Sequence, residues 1–138
     1  MTEYATLREK IAAEKAERAE RYAAFENLFA QAHEAGMTAG RECVPVPMIV
    51  SGYENQPVMD GPCGFAWVNV RPGNSSFAIW LVKTGRARKA YGGGVQIWVR
   101  YFDQSYTRKS EYADAMADVF RSSPLTENLR IYAASRLD

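Results

Sequence analysis

The sequence has little of what metal sites and nucleophilic catalysis require. It contains two cysteines, Cys43 and Cys63, in no CxxC spacing, and one histidine, His33. A structural zinc site needs more cysteine and histidine ligands than these. No sequence cue pairs His33 with a serine or cysteine, so a catalytic triad is not indicated. We interpret His33 as a cation near a helix end, and the cysteines as buried thiols rather than a disulfide.

Long apolar runs are also missing. The clearest, around residues 77–82, is far too short to cross a bilayer. The opening MTEYATLREK lacks the apolar core of a signal peptide. We therefore predict a cytoplasmic protein with no membrane partner. The 138 residues, 47% of them hydrophobic and 24% charged, have the size and composition of one soluble domain.

Motifs that bind nucleotide cofactors are missing as well. The chain has neither a Walker motif nor a GxGxxG fingerprint, so we predict no cofactor. Glu111, Asp114 and Asp118 share one face of a predicted helix, a spacing that could hold a metal. Such a face is far more often solvated, and we predict no metal site. The protein is interpreted as non-enzymatic, with a small hydrolase using Asp103 or the Glu111 face as a minor alternative.

What the chain does have is a local excess of positive charge. The whole chain carries a net charge of +1, but residues 1–60 carry −4 and residues 61–138 carry +5. Between Arg71 and Lys109 there are eight lysines or arginines and one acid, Asp103, interleaved with aromatic residues. Cations attract phosphates and flat aromatic rings stack on bases. This region therefore predicts a binding surface.

The hydrophobic pattern predicts an α+β fold in one domain. Residues 1–36 contain a long helix that Gly36 ends, because glycine is favoured just after a helix. Residues 37–62 form a connector, in which Val44–Val50 is a possible edge strand interrupted by prolines. Residues 63–138 form a β-α-β-α-β core, with a small mixed sheet of three to four strands and two helices on one face.

The long helix has two apolar patches. Tyr22, Phe25, Leu28 and Phe29 should dock on the core, while the earlier patch is formed by Tyr4, Leu7 and Ile11. A small domain is less able to cover the first turns too. We therefore predict that residues 2–20 pack against another chain, most simply in a homo-oligomer.

Three segments are candidate ligand sites. The first follows a predicted strand and opens a helix, where free backbone N–H groups favour anions. It comprises Arg71, Asn74, Ser75 and Ser76. The ordinary alternative is a helix N-cap preceded by a Pro-Gly turn.

The second segment is the next strand-to-helix junction, with Gln104, Tyr106, Arg108 and Lys109, and it lies on the same side of the sheet as the first if both crossovers run alike. The third is a loop beside three glycines, with Arg86, Arg88, Lys89 and Tyr91. We expect its cations to be exposed and to contact phosphates without base specificity. For both segments a merely solvated surface remains open. Trp67, Trp80 and Trp98 lie in periodic segments and are interpreted mostly as core.

Four blocks of the second half carry a resemblance. They are GPCGFAWVNVRPGNSSFA, YGGGVQIWV, QSYTRK and the terminal SRLD. In these blocks the chain resembles a family of uncharacterised small proteins of tailed bacteriophages and prophages. The resemblance implies a phage or prophage origin and a bacterial host cell, and it implies no activity.

The leading functional hypothesis is a non-enzymatic protein that binds nucleic acid or a nucleotide-type phosphate ligand through its basic, aromatic second half. The resemblance would place this in host takeover or counter-defence. The alternative is a protein–protein module, either an inhibitor of a host protein or a minor virion or assembly component. In that case the long helix carries the interface and the basic surface is incidental.

Overall fold

The fold consists of one long helix followed by an α+β unit. A computed structural model describes residues 3–45 and 62–138, with side chains from Thr6 onward. The elements are α1 (Glu3–Glu42), β1 (Gly64–Arg71), α2 (Ser76–Lys83), β2 (Arg88–Lys89), β3 (Val95–Trp98), α3 (Tyr106–Arg121), a 3-10 turn (Pro124–Thr126) and β4 (Arg130–Leu137). Most of the predicted connector, including the edge strand after Pro45, lies outside the described residues.

The four strands form one sheet in the order β2-β3-β1-β4. Each of the three strand pairs is antiparallel. This β-α-β-β-α-β succession, with each helical crossover skipping one strand, is the split β-α-β topology known as ferredoxin-like. The predicted α+β class, long first helix and sheet of three to four strands are confirmed, the sheet having four. The sheet is antiparallel rather than mixed, because Arg88–Lys89 form a short strand that turns back as a hairpin into β3.

The hydrophobic core lies on one face of the sheet, beneath the three helices. Side chains alternate along β1, so Ala66, Val68 and Val70 are buried on this face. The helices supply the large rings above them. Phe77 of α2 packs edge-on against Phe120 of α3 with ring centroids 5.2 Å apart. The core thus covers one face of the sheet with the helices.

Helix α1 continues past Gly36 to Glu42, so the prediction that Gly36 ends it is wrong. Gly36 lies against α3, where an added Cβ would sit 2.7 Å from Cδ2 of Tyr112. One turn later, an added Cβ at Gly40 would collide with the ring of Phe102. Both glycines therefore permit close packing of α1 against the α+β unit, and neither serves as a terminator.

Only the second half of α1 is docked on the core. Of the second patch, Phe25 and Leu28 are buried and Tyr22 and Phe29 pack against the core half-buried, as predicted, and Ala32 one turn later is buried too. Residues 6–21 are exposed throughout, including Leu7 at 55% and Ile11 at 54%. A 40-residue helix is about 60 Å long, so its first half extends beyond the unit that it packs on. Among the described helices, none is both long and apolar enough to span a membrane.

Candidate functional site

The face of the sheet opposite the helices is the candidate site, and we call it the open face. Within residues 3–45 and 62–138, no helix packs on it. Its side chains follow from the alternation and register of the strands: Phe65, Trp67, Asn69 and Arg71 of β1, Arg88 of β2, Gln96 and Trp98 of β3, and Arg130, Tyr132, Ala134 and Arg136 of β4. The aromatic members are half-buried and three of the arginines are exposed. This composition is unlike a solvated sheet surface, which is usually polar.

A ladder of flat groups crosses the open face. Trp67 and Trp98 are cross-strand partners whose rings stack with centroids 4.7 Å apart and planes inclined by 25°. The guanidinium of Arg88 covers Trp98 at 4.6 Å from the ring centroid. Trp80 is buried as predicted, but the interpretation of Trp67 and Trp98 as core is wrong. They occupy the alternate positions of strands that bury only one face.

Charge on the open face has a single sign. The four strands contain no aspartate or glutamate. The guanidinium of Arg136 lies 5.4 Å from the ring centroid of Phe65, and that of Arg130 lies 5.3 Å from that of Tyr132. Within the described part of the chain, neither Arg130 nor Arg136 forms an ion pair with a carboxylate.

Arg71 and Arg130 are direct cross-strand partners at one end of the open face. Like charges in that arrangement are destabilising unless an anion separates them. The Nη2 of Arg71 donates a hydrogen bond of 2.7 Å to the carbonyl oxygen of Gly92, which fixes its direction. The two arginines line a cleft together with Asn74 and Asn128. The cleft is thus the part of the open face best suited to a phosphate group.

The four predicted anion-site residues do not all meet in this cleft. Arg71 and Asn74 line it, but Ser75 and Ser76 lie in a neighbouring groove with Arg21 and Phe25. The hydroxyl of Ser75 accepts the N–H of Ala78, so it is the N-cap of α2. For Ser75 the alternative interpretation as a helix N-cap is therefore correct. Arg71 instead lines the cleft with Arg130, a residue that the sequence analysis did not include in the site.

The segment Gln104–Lys109 lies at the opposite end of the sheet from Arg71. Strands β1 and β3 are antiparallel, so their C-terminal ends point in opposite directions. The expectation that both junctions share one side of the sheet is therefore wrong.

The cationic groups of Arg108 and Lys109 are engaged in contacts within the protein. Arg108 donates to the carbonyl oxygens of Gly40 at 2.7 Å and Arg41 at 3.2 Å. It thereby caps the last turn of α1, where carbonyls lack helical partners and a cation complements the dipole. Lys109 is only 7% exposed, and its Nζ lies 5.6 Å from the ring centroid of Phe65. Both side chains tie the N-terminus of α3 to neighbouring elements.

The other predicted ligand residues are dispersed. Gln104 is exposed, and its backbone carbonyl oxygen accepts a hydrogen bond from the backbone N–H of Gly64. Tyr106 is half-buried, with its hydroxyl 3.1 Å from Oγ of Ser135. Tyr91 is fully exposed at the tip of the β2–β3 hairpin, and Lys89 is exposed on β2. Of the predicted set, only Arg71 and Arg88 have side chains on the open face.

Arg86 is a structural link rather than an exposed cation of a flexible loop. It forms an ion pair with Glu26 of α1. Its guanidinium also lies 4.6 Å from the ring centroid of Trp80 and 5.1 Å from that of Phe29. The expectation that Arg86 is exposed is therefore wrong, since α1 places Glu26 and Phe29 beside it and α2 places Trp80 there.

We expect Arg86→Ala to destabilise the protein by about 1–2 kcal/mol, because a partly buried cation–π contact and an ion pair are lost together. Thermal unfolding should show a decrease in Tm of about 2–8 °C for a domain of this size. Lys89→Ala removes an exposed cation three residues later and is the matched control, with no change expected. Equal Tm values for the two variants would contradict this role of Arg86.

His33 belongs to the packing between α1 and α3. Its Nδ1 lies 2.7 Å from the hydroxyl of Tyr112, and its ring contacts Tyr101. Burial, and next the proximity of Tyr101, raise the pKa of the Tyr112 hydroxyl above its usual value. His33 is two turns before the end of α1, so its interpretation as a helix-end cation is wrong.

The acidic and sulfur-containing side chains do not converge on a metal site. Glu111, Asp114 and Asp118 are exposed on α3, and Asp118 forms an ion pair with Arg121. Within the described ranges, no cluster of three histidine, cysteine or acidic side chains is placed to hold a metal ion. Cys43 and Cys63 are free thiols, but Cys43 is only half-buried and Cys63 is exposed, so the interpretation of both as buried is wrong.

Sequence reasoning missed most of the open face. Trp67, Asn69, Gln96, Trp98 and Arg136 were not identified as site residues. One pattern pointed to them: in FAWVNVR, small aliphatic residues alternate with Phe65, Trp67, Asn69 and Arg71. Two-residue periodicity places the large and polar set on one face. Which face remains uncovered depends on how many helices pack on the sheet, and the pattern does not contain that information.

Comparison of the chain with protein-family models, with curated proteins and with solved structures finds no match.

Proposed function

We propose that the protein binds single-stranded nucleic acid on the open face, stacking bases on the tryptophan ladder and pairing arginines with phosphates. The observation that carries this proposal is the stacked Trp67–Trp98 pair among arginines, on strands that contain no acid. Four-stranded antiparallel sheets bind single strands in this manner when their central strands carry exposed aromatic rings. The shared architecture does not by itself imply this function, so the proposal rests on the tryptophan rings and the arginines of the open face.

The ladder has one further position, on β4, where the protein supplies no aromatic ring. Its steps of 4.6 and 4.7 Å match the spacing of neighbouring strands, so it runs across the sheet from β2 through β3 to β1. The next position in that direction is on β4, where the partner of Trp67 is Ala134. Ala134 contributes only a methyl group, so the second face of Trp67 is left for a base. Every base presents a π face, which makes such stacking independent of sequence.

Phosphate groups would lie along the same edge of the sheet. Arg136 is two residues from Ala134 on β4, and Arg130 is four residues away in the other direction. An extended strand rises about 3.3 Å per residue, so these cations flank the base position at about 7 and 13 Å. Arg71 stands beside Arg130. A single strand that crosses β4 would thus meet cations on both sides of the stacked base.

The proposal is tested by measuring the affinity for a labelled 12-nucleotide single strand at several salt concentrations. For single strands the slope of log K against log salt is about −0.7 per neutralised phosphate, so three arginines predict a slope near −2. Arg136→Gln should weaken binding and make the slope less negative by about 0.7. Arg18→Gln, an exposed arginine on the first half of α1, is the control that should change neither. Absence of binding by the unaltered protein at low salt would end the proposal.

A second candidate function, assembly through α1, rests on a different observation. Leu7 and Ile11 are more than half exposed, one turn apart on a helix that extends beyond the domain. An isolated helix of this kind gains little stability in water without a packing partner. A homo-oligomer formed through residues 2–20, or a host or virion protein bound there, would supply one. This interface and the open face are separate, so the two functions are compatible.

A further inference from the structure

The open face carries two amide side chains directly beside the tryptophan pair. Asn69 and Gln96 are cross-strand partners: Asn69 is two residues after Trp67 on β1, and Gln96 is two residues before Trp98 on β3. The indole Nε1 of Trp98 donates a hydrogen bond of 3.1 Å to Oε1 of Gln96. The Nε2 of Gln96 in turn donates a long hydrogen bond of 3.5 Å to Oδ1 of Asn69.

The chemistry of the indole fixes the direction of this relay. An indole N–H can only donate, so the oxygen of Gln96 must face Trp98 and its NH2 group must face Asn69. Asn69 then presents its oxygen to Gln96, on the β3 side. Its NH2 group therefore faces away from Gln96. Within the described residues that group has no hydrogen-bond acceptor. The relay thus ends in an oriented, unused donor.

This donor borders the position left for a base. Ala134 is the β4 partner of Trp67, and Tyr132 is the β4 partner of Asn69. A base stacked on Trp67 above Ala134 has one edge towards the Asn69 and Tyr132 pair, about 7 Å along the strands. The edge of the base and the NH2 group of Asn69 are then within reach of a hydrogen bond. A donor favours an edge that presents a carbonyl oxygen, and is repelled by an exocyclic amino group.

We infer that Asn69 meets the C4 substituent of a stacked pyrimidine or the C6 substituent of a stacked purine, and there favours O6 of guanine and O4 of thymine and uracil over the amino groups of adenine and cytosine. Gln96 and Trp98 act as positioning residues that hold the amide in its donor orientation. The inference rests on the proposed function and adds a specificity to it. Stacking on Trp67 would occur with any base. The contact with Asn69 distinguishes thymine from cytosine, which have the same ring size and the same O2 but carry O4 and an amino group, respectively, at C4.

The test compares dT12 with dC12 at neutral pH by fluorescence anisotropy. The unaltered protein is expected to bind dT12 about two- to tenfold more tightly, the range of one net hydrogen bond. Asn69→Asp keeps the oxygen that accepts from Gln96 and replaces the donor with an acceptor. The added charge weakens both complexes, but the ratio should invert in favour of dC12. Asn27→Asp makes the same change on the exposed surface of α1 and should leave the ratio at its original value.

The possible results separate the inference from the function on which it rests. Equal affinities for dT12 and dC12, or a ratio that Asn69→Asp leaves unchanged, would overturn the inference while binding itself stands. Binding of neither oligonucleotide would overturn both. An inverted ratio in Asn69→Asp, with Asn27→Asp unaffected, supports the assignment, because a merely structural role for Asn69 would change both affinities by the same factor.

Discussion

Replacing Trp67 with alanine is expected to lower the affinity for a single-stranded oligonucleotide by about 5- to 150-fold. This range corresponds to about 1–3 kcal/mol for the stacking of one base on an aromatic ring. Trp67 is the end of the ladder on the β4 side, so its loss removes the surface on which the base is stacked. The slope of affinity against salt should be unchanged, because the arginines remain. Binding is measured by anisotropy at several salt concentrations.

The variant also loses the stacked contact with Trp98, which contributes about 0.5–1.5 kcal/mol to stability. A decrease in Tm of a few degrees is therefore expected, and binding should be measured well below that temperature. Tyr91→Ala is the matched control, since Tyr91 is fully exposed at the hairpin tip and away from the ladder. If Tyr91→Ala were as damaging as Trp67→Ala, the hairpin rather than the sheet would carry the ligand. Full affinity in Trp67→Ala would exclude stacking on the ladder.

The strands and the docked second half of α1 could be predicted because the sequence patterns that indicate them are local. The alternation in FAWVNVR and VQIW requires only that neighbouring side chains point to opposite faces of a strand. The patch from Tyr22 to Phe29 repeats at helical spacing, which predicts burial of one stripe. Each of these predictions is confirmed. They depend on residues within about ten positions of one another.

The features that could not be predicted depend on partners distant in the chain. Gly36 has the local properties of a helix terminator, but it packs against Tyr112, which is 76 residues later. Arg108 resembles a solvent-facing cation until the last carbonyls of α1 are placed beside it. Arg86 lies near the glycine run in sequence, but its ion pair with Glu26 forms only because α1 packs beside the segment that follows α2.

The candidate site was missed for the same reason. Trp67 and Trp98 are 31 positions apart, and their stacking depends on the antiparallel register of β1 and β3. Sequence reasoning favoured the loops, where basic residues cluster locally. The structure instead brings together arginines from three strands on a face whose members are scattered along the chain, and local clustering in the sequence does not reveal that convergence.

The largest loss of stability is expected where α1 docks on the core. Phe25 is 2% exposed and packs against Phe77 and Trp80 with ring centroids 5.1 and 5.7 Å apart. Phe25→Ala removes a buried ring and leaves a cavity, which costs about 3–5 kcal/mol. That is a large part of the roughly 5–15 kcal/mol that stabilises a typical domain. Chemical denaturation monitored by circular dichroism should show a clearly lower midpoint.

Ile11→Ala makes a comparable truncation on the same helix and separates docking from assembly. In a monomer this side chain is half exposed and its loss should change stability by less than about 0.5 kcal/mol. In a homo-oligomer formed through residues 2–20, the loss would be larger and would depend on protein concentration, because dissociation is linked to unfolding. Light scattering of both variants beside the unaltered protein distinguishes the two cases. A monomeric protein at tens of micromolar would refute the homo-oligomer, and an unchanged midpoint for Phe25→Ala would refute the docking of α1.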